Sequence, residues 1–205
     1  MPGREPKWWY GPGPHWQATL LSPVGRLAGR VAAARLRKKH FYFSRLPVIC
    51  IGNFTVGGSG KTPLALLVAQ LVSDEGREPW FLSRGYGGRL SGPIRVDAGV
   101  HGSIDVGDEP LLLARRAPTV VSRDRRKGAQ FIEATAPANA VIIMDDGLQN
   151  PYLAKDLVIA VVAGDRGFGN GRVIPAGPLR APLAAQIGLA DTVVVTGQAP
   201  EASRA

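Results

Sequence analysis

Short apolar runs rich in β-branched residues recur from residue 46 onward, and stretches with helical periodicity separate several of them. The apolar runs cover residues 47–52, 79–82, 119–122, 140–144, 157–163 and 192–196. The helical stretches include residues 63–73, 109–116 and 125–135. Continuous apolar strands that alternate with helices are typical of a parallel sheet with helices on both faces. The pattern therefore predicts an α/β fold, a three-layer sandwich around a mostly parallel sheet.

Residues 1–45 follow a different pattern, with glycine, proline and aromatic residues first and a helical stretch afterwards. Ser22 and Pro23 have the character of an N-cap and a first helical residue, which predicts a helix over about 23–39. The apolar stripe of this helix consists of Leu20, Val24, Leu27 and Val31. The neighbouring basic stripe consists of Arg26, Arg30 and Arg37. The sequence thus predicts a basic amphipathic helix ahead of the sheet.

The net charge of +9 is concentrated in this N-terminal arm. Residues 1–46 hold nine Lys or Arg and one Glu, whereas the rest of the chain holds 16 basic and 15 acidic residues. One interpretation of the arm is docking on an anionic membrane surface, with tryptophans at the level of the headgroups. The other is a helix that packs on its own domain and exposes a solvated basic face. A nucleic-acid-binding arm or an organellar presequence is less favoured, so we expect no nucleic-acid partner.

The single cysteine, Cys50, lies inside an apolar run, which excludes an internal disulfide and favours a reducing compartment such as the cytoplasm. The candidate signal segment, residues 18–24, is short and interrupted by Ser22 and Pro23, so we expect no secretory signal. No apolar run approaches the roughly 20 residues of a transmembrane helix. The histidines lack metal-ligand spacing, which argues against a histidine-based metalloenzyme.

A glycine-rich loop follows the first predicted strand and precedes a predicted helix. It consists of Thr55, Val56, Gly57, Gly58, Ser59, Gly60, Lys61 and Thr62. Glycines let backbone N–H groups surround phosphate oxygens, the lysine adds positive charge near the β- and γ-phosphates, and the threonine hydroxyl suits Mg²⁺. The threonine that opens the loop departs from the general pattern, which begins with glycine. The loop predicts a P-loop NTPase-like domain that binds ATP with Mg²⁺.

Polar segments also follow the later strands, at the sheet edge where ligands bind. Asp145 and Asp146 end an apolar run, as acids that hold or orient Mg²⁺ do, although acids that cap a turn occupy such positions too. Asp108 and Glu109 are candidate site acids, but they are equally consistent with a structural role in the N-cap region of the following helix. Two arginines in these segments could contact phosphate or be surface charges, namely Arg84 and Arg125.

Together these motifs resemble the tetraacyldisaccharide 4′-kinase family of lipid A biosynthesis. The matching segments are residues 52–63 (GNFTVGGSGKTP), 83–87 (SRGYG), 107–110 (GDEP), 145–149 (DDGLQ), 167–171 (GFGNG) and 175–180 (PAGPLR). The resemblance runs in order from the N-terminal aromatics to about Thr196. Threonine at position 55 is what this family shows, so the departure from the general loop pattern becomes part of the match.

The resemblance implies an ATP- and Mg²⁺-dependent kinase that phosphorylates the 4′-hydroxyl of the tetraacyldisaccharide 1-phosphate lipid A precursor. It implies a peripheral protein on the cytoplasmic face of the bacterial inner membrane, which we expect to be a monomer. Lys61 and Thr62 would contact phosphate and metal, Asp108 would accept the proton of the sugar hydroxyl, and Asp145 and Asp146 would lie near the metal. Further candidate site residues are Arg84, Glu109, Arg125, Gln149 and Arg180.

Three positions and one segment depart from the family pattern. Leu148 and Asn150 stand where the family commonly has Phe and His, and Ala181 stands where it often has Glu. Family members also continue into a second α/β lobe that closes over the nucleotide and supplies a histidine partner for the catalytic Asp, and we expect that lobe to be absent here. The predicted divisions are a docking arm (1–45), a kinase lobe (46–197) and a polar tail (198–205). The alternative is a membrane-attached nucleotide-binding module without kinase activity.

Overall fold

The computed structural model describes residues 5–37 and 42–197. Its helices are α1 (Trp16–Leu36), α2 (Lys61–Asp74), α3 (Ser103–Val106), α4 (Asp108–Ala114), α5 (Arg125–Thr135) and α6 (Leu183–Gln186). Its strands are β1 (Val48–Asn53), β2 (Glu78–Ser83), β3 (Ile94–Arg95), β4 (Thr119–Val121), β5 (Ala140–Asp145), β6 (Leu157–Ala163) and β7 (Thr192–Thr196). The chain forms two compact units. The first comprises Met1–Lys38, Asn53–Gly60 and Ala160–Ala205, and the second comprises Lys39–Gly52 and Lys61–Ile159.

A mostly parallel group of strands forms the centre of the second unit. Their order is β3-β4-β2-β5-β1, followed by the first residues of β6. Strand β5 pairs in parallel with both β1 and β2, so Cys50 lies opposite Met144 and Phe81 lies opposite Ile143. Strand β3 instead pairs antiparallel with β4. The predicted α/β fold with a mostly parallel sheet is confirmed, and β3 escaped prediction because two residues are too few to show a period.

The core of the second unit lies on both faces of these strands, because their apolar runs have no solvent-facing side. Every residue of β5 is buried. Helix α2 lies against β2 and β5 and buries Ala65 and Ala69, whose small side chains allow close approach. The thiol of Cys50 is fully buried in β1, and burial raises its pKa to about 12. Cys50 is thus a core residue and an unreactive thiol in the folded state.

The first unit contains α1, the loop after β1, the second part of β6 with β7 beside it, and α6. Helix α1 begins at Trp16 and not at Pro23, so the predicted start was wrong. The hydroxyl of Ser22 donates to Ala18 O (2.7 Å), an interior bond and not a cap. Arg172 Nη1 also donates to Ala18 O (2.7 Å), so a residue far along the chain contacts α1 in the turn that precedes Pro23. The predicted helix end at residue 39 lies outside the described residues.

The buried face of α1 is made of small residues. Ala18, Gly25 and Gly29 are buried, and a Cβ on Gly25 would lie 2.7 Å from Val173 O. The large apolar residues point the other way. They are Trp16, Leu20, Val24, Leu27 and Val31, each 50–71% exposed. The predicted amphipathic stripe therefore exists, but it faces outward while the helix packs through its glycines.

The N-terminal tryptophans do not share one environment. Trp9 is buried, its Nε1 donates to Pro175 O (3.3 Å), and its carbonyl accepts from Asn170 N (2.7 Å). Trp9 therefore belongs to the packing of the first unit, whereas Trp16 is available to a partner. Among the described residues, no helix is long and apolar enough to cross a bilayer. The predicted boundary at 45/46 stays a prediction, and the predicted tail at 198–205 lies outside the described residues.

Candidate functional site

The loop after β1 has the backbone that phosphate binding requires. Gly57 and Gly60 have φ of +93° and +83°, in the left-handed region that favours glycine. The last residue of β1, Asn53, is fully buried and uses its side-chain Nδ2 to donate to Ser59 Oγ (3.0 Å). Thr196 Oγ1 of β7 donates to Ser59 O (3.0 Å). The loop is thus fixed from both its strand and the neighbouring segment of the first unit.

The first two residues of the loop pair with the PAGPLR segment. Val56 N donates to Pro178 O (2.9 Å), and Thr55 forms an antiparallel bridge with Leu179. Arg180 Nε donates to Thr55 O (2.9 Å). Position 55 is therefore extended and paired, so a threonine fits where the general loop pattern has glycine. Arg180, a candidate site residue implied by the family resemblance, lies beside the loop in the first unit.

An acidic side chain that the sequence did not single out also lies at the loop. The carboxylate of Glu5 packs so closely on Gly57 that a Cβ there would lie 1.5 Å from Glu5 Oε1. Arg166 Nη1 holds the same carboxylate at 3.2 Å. The Arg166 guanidinium also lies over the ring of Tyr10, 5.7 Å from its centroid. Because Glu5 is distant in sequence from the loop, only the fold could reveal this contact.

In the second unit, Lys61 opens α2 directly after the loop. Its Nζ lies 4.0 Å from Asp146 Oδ1, and the lysine side chain is only 10% exposed. Asp146 follows β5 with φ of +52°, the positive φ of a non-glycine residue that often marks a functional turn. Thr62 is half-buried in the first turn of α2. The structure therefore brings Lys61 and Asp146 together as the motif predicts for a phosphate and metal site.

Asp145 is a buried carboxyl group with an incomplete set of partners. It is 1% exposed, and no hydrogen bond reaches its Oδ1 from the described residues. Burial raises its pKa to about 7, and the charges of Glu109 and Asp146 add to that effect. The positive charges of Lys61 and Arg125 act in the opposite direction and lower the pKa of Asp145. A buried acid with an empty acceptor is suited to a cation, because a metal would supply the missing partner.

Arg125 proves to be a buried residue, which rules out the surface-charge interpretation of its role. It is 3% exposed, its Nη1 donates to Ser122 O (2.7 Å), and its Nη2 donates to Asp145 O (3.3 Å). Burial lowers the pKa of the guanidinium to about 10. Arg125 therefore fixes the backbone of Asp145 and the end of β4. Arg84, in contrast, is exposed after β2.

Asp108 and Glu109 form the first turn of α4, after Gly107 as the N-cap, and both are exposed. Gly107 has φ of +90°, and a Cβ there would lie 2.3 Å from Tyr86 O. The GDEP and SRGYG motifs are thus in contact through a glycine. The helix-start interpretation of Asp108 and Glu109 holds, and the Asp108 carboxylate is exposed to solvent.

The residues at positions 150 and 181, which depart from the family pattern, both make defined contacts. Asn150 Oδ1 accepts from Tyr152 N (3.0 Å) and Leu153 N (3.2 Å), so it closes the turn after the acidic motif. Ala181 is fully buried, and its carbonyl accepts from Gln186 Nε2 (2.9 Å). Gln149, beside Asn150, is half-buried. Position 150 thus serves the turn itself, and position 181 serves packing in the first unit.

The raised pKa of Asp145 predicts how stability depends on pH. The unfolded carboxyl titrates near pH 3.9 and the folded one near 7, so between these values the folded state keeps a proton that the unfolded state has lost. This carboxyl therefore lowers the free energy of unfolding progressively from about pH 4 to about pH 7. Without Mg²⁺, the midpoint temperature of thermal unfolding of the Asp145→Asn variant should exceed that of the unaltered protein. The difference should grow from about pH 4 to about pH 7. Scanning fluorimetry against Asp74→Asn measures this difference, and a constant value would contradict the prediction.

The chain is similar to known proteins in sequence and in fold. The model of the family described as tetraacyldisaccharide-1-P 4′-kinase matches residues 17–205. Curated tetraacyldisaccharide 4′-kinases are similar to the chain. The one from Methylobacterium nodulans is 56% identical over 96% of this chain and 58% of its own length, and the one from Rhodopseudomonas palustris (strain BisB18) is 53% identical over 95% and 56%.

A solved structure has the same fold. The crystal structure of the "apo" form of LpxK from Aquifex aeolicus in complex with ATP superimposes with a TM-score of 0.77 and 33% identity, covering 88% of this chain and 59% of that one. The chain thus spans little more than half the length of the proteins it matches. With the family model and the relatives in agreement, the chain belongs to the tetraacyldisaccharide-1-P 4′-kinase family.

Proposed function

We propose that this chain provides the nucleotide-binding lobe of an ATP-dependent kinase that phosphorylates the 4′-hydroxyl of a tetraacyldisaccharide 1-phosphate. The observation that carries the proposal is the Lys61–Asp146 pair beside the buried, incompletely partnered Asp145. A cation that pairs with one acid, lies near a second and directly follows a glycine-rich loop in the sequence suits the binding of a metal and a triphosphate. The printed names of the relatives and the ATP in the Aquifex aeolicus structure support the choice of substrate and nucleotide.

The residues fit Mg²⁺ and ATP. Loop amides over residues 56–60 would face phosphate oxygens, while the Thr62 hydroxyl and the Asp145 carboxylate would hold the metal. Among the described residues, no group of three or more His, Cys, Asp or Glu could hold a metal alone. Mg²⁺ commonly uses one or two protein ligands together with water and phosphate. Bound Mg²⁺ would neutralise charge on the phosphates.

The chain's own residues account for the remaining chemistry. Lys61 would stabilise negative charge on the transferring phosphoryl group, and Arg125 would keep Asp145 in place through its backbone. Asp108 would accept the proton of the 4′-hydroxyl as the sugar oxygen bonds to the γ-phosphorus. The bond from that phosphorus to the β–γ bridging oxygen breaks, and ADP leaves. Positioning and electrostatics supply most of the rate in such transfers.

Phosphoryl transfer from labelled ATP tests the proposal. With Mg²⁺ and the disaccharide 1-phosphate in detergent, we expect a bisphosphorylated lipid. Asp108→Asn should reduce the product by about 100-fold or more, because it removes the proton acceptor. Asp74→Asn is the matched control, since Asp74 is exposed and its Oδ1 accepts from Gln70 on the same helix. ATP binding without any lipid product would favour a nucleotide-binding module instead.

We further propose that α1 docks on the anionic cytoplasmic face of the inner membrane. Its five exposed large apolar residues form one stripe, and Arg26 and Arg30 are exposed on the same helix. Apolar residues that enter the headgroup region, together with nearby cations, are the features of an interfacial helix. The small residues on the opposite side of α1 fix the helix to the first unit, so the stripe stays outward.

Vesicle flotation tests the docking proposal. Replacing Leu20, Val24 and Leu27 by serine should weaken binding to vesicles with phosphatidylglycerol by roughly 100-fold, because three large apolar side chains no longer enter the membrane. The matched control is Leu67→Ser with Leu71→Ser, since these leucines are 54% and 55% exposed on α2. Equal flotation of both variants would exclude α1 as the docking element.

A further inference from the structure

The acidic turn, residues 145–150, carries three candidate site residues on an unusual backbone. Asp146 has φ of +52°, and Asn150 N donates to Gly147 O (2.9 Å). A Cβ on Gly147 would lie 2.3 Å from Met144 Cε, so the backbone packs directly on the core. A turn in which a non-glycine residue has positive φ persists only where surrounding contacts hold it.

Lys155 provides such contacts from the far side of the turn. Its Nζ donates to Leu148 O (3.1 Å) and to Asn150 O (2.8 Å), the carbonyls on either side of Gln149. Hydrogen bonds from an ammonium group are stronger than those between neutral groups. One side chain therefore joins both ends of the segment that carries Gln149.

The hydrogen bonds of Lys155 indicate that it acts on the backbone of the acidic turn. Burial lowers the pKa of its ammonium, and the hydrogen bonds found for it go to backbone carbonyls. Lys155 is half-buried, and holding its ammonium against backbone carbonyls has a desolvation cost that a methionine in the same place would not have. Asn150 Oδ1 ties the following backbone back to the turn, so Lys155 and Asn150 act on the same segment from two directions.

We propose that Lys155 is a positioning residue that sets the acidic turn for Mg²⁺-dependent nucleotide binding. It fixes the carbonyls of Leu148 and Asn150, and through them the placement of Asp145, Asp146 and Gln149. The inference rests on the proposed function, because a precise acidic turn matters only if that turn holds a metal and a nucleotide. Residues that orient metal ligands in this way typically contribute about 10- to 100-fold to metal affinity or activity.

The test measures ATP binding with a fluorescent ATP analogue over a range of Mg²⁺ concentrations. Lys155→Met removes the donors and keeps the apolar stem, and we expect the Mg²⁺ concentration for half-maximal binding to rise by about 10- to 100-fold. Binding without Mg²⁺ should change less than about twofold, because the loop is untouched. Lys155→Arg should recover most of the Mg²⁺ dependence. Lys127→Met, on the exposed side of α5, is the matched control.

Hydrogen exchange supplies a second measurement that does not depend on nucleotide. In Lys155→Met we expect faster exchange at residues 147–153 and unchanged exchange in α5. Faster exchange across the whole sheet with unchanged Mg²⁺ dependence would show a merely structural lysine and overturn the proposal. If the unaltered protein bound no Mg²⁺ and ATP, the proposed function would fail. Unchanged hydrogen exchange at residues 147–153 in the Lys155→Met variant would, by itself, show that Lys155 does not stabilise the turn.

Discussion

Lys61→Ala is expected to lower the affinity for ATP with Mg²⁺ by about 10- to 100-fold, the contribution of one or two hydrogen bonds to a charged group. The side chain is 10% exposed and lies 4.0 Å from Asp146, so its charge acts in a poorly solvated place. Its loss also leaves Arg125 as the remaining positive charge that lowers the pKa of Asp145. Since Lys61 lowers the pKa of Asp145, that pKa should rise above about 7, and more of the carboxyl should be protonated at neutral pH.

Titration with a fluorescent ATP analogue at pH 7.5 and again at pH 8.5 measures both effects. If protonation of Asp145 contributes, part of the lost affinity returns at the higher pH. Lys127→Ala controls for the removal of a positive charge from the same unit, because Lys127 is exposed. An affinity within threefold of the unaltered protein at both pH values would show that Lys61 does not bind the nucleotide.

Gly107→Ala should be among the most damaging single-methyl changes in the second unit. The residue has φ of +90°, and the added Cβ would lie 2.3 Å from Tyr86 O, a backbone atom that cannot turn away. We expect the free energy of unfolding to fall by about 2–4 kcal/mol, since backbone strain and overpacking each cost about 1–3 kcal/mol. The first turn of α4 must shift, so Asp108 should lose its place and the proposed phosphoryl transfer should fall together with stability.

The Gly76→Ala variant separates the two causes of the lost stability, backbone strain and the steric clash. Gly76 also has positive φ (+70°), but nothing lies within 4 Å of its Cβ position, so the variant shows the strain without the clash. Denaturant unfolding of both variants then gives the cost of the contact between the GDEP and SRGYG motifs as a difference. Equal costs for the two substitutions would mean that the motifs can separate freely.

The predicted strands and the loop followed from local sequence, because buried parallel strands and glycine-rich turns leave strong signals. The start of α1 did not, since Ser22 and Pro23 match a helix N-terminus in isolation. Instead, Arg172, a residue far along the chain, contacts α1 in the turn that precedes Pro23. Sequence order cannot show which distant side chain will contact a helix near an interior proline.

Side-chain environments were likewise beyond the sequence. Arg125 could have been a surface charge until its hydrogen bonds to Ser122 and Asp145 were seen. Glu5 gave no signal at all, although its carboxylate packs on the loop. In each case the decisive contact is tertiary, and residue type alone permits several placements. The acids of the site were found because they end an apolar run, which is a local feature.

Because Cys50 is buried, chemical modification of its thiol can report on opening of the second unit. Because the single thiol lies within β1 and has a raised pKa, a thiol reagent can reach it only after that strand has left the sheet. The rate of modification in mild denaturant therefore measures how often the second unit opens. In the folded protein, a second cysteine at an exposed position such as Leu71→Cys would accept a fluorescent label selectively, without removal of the natural thiol.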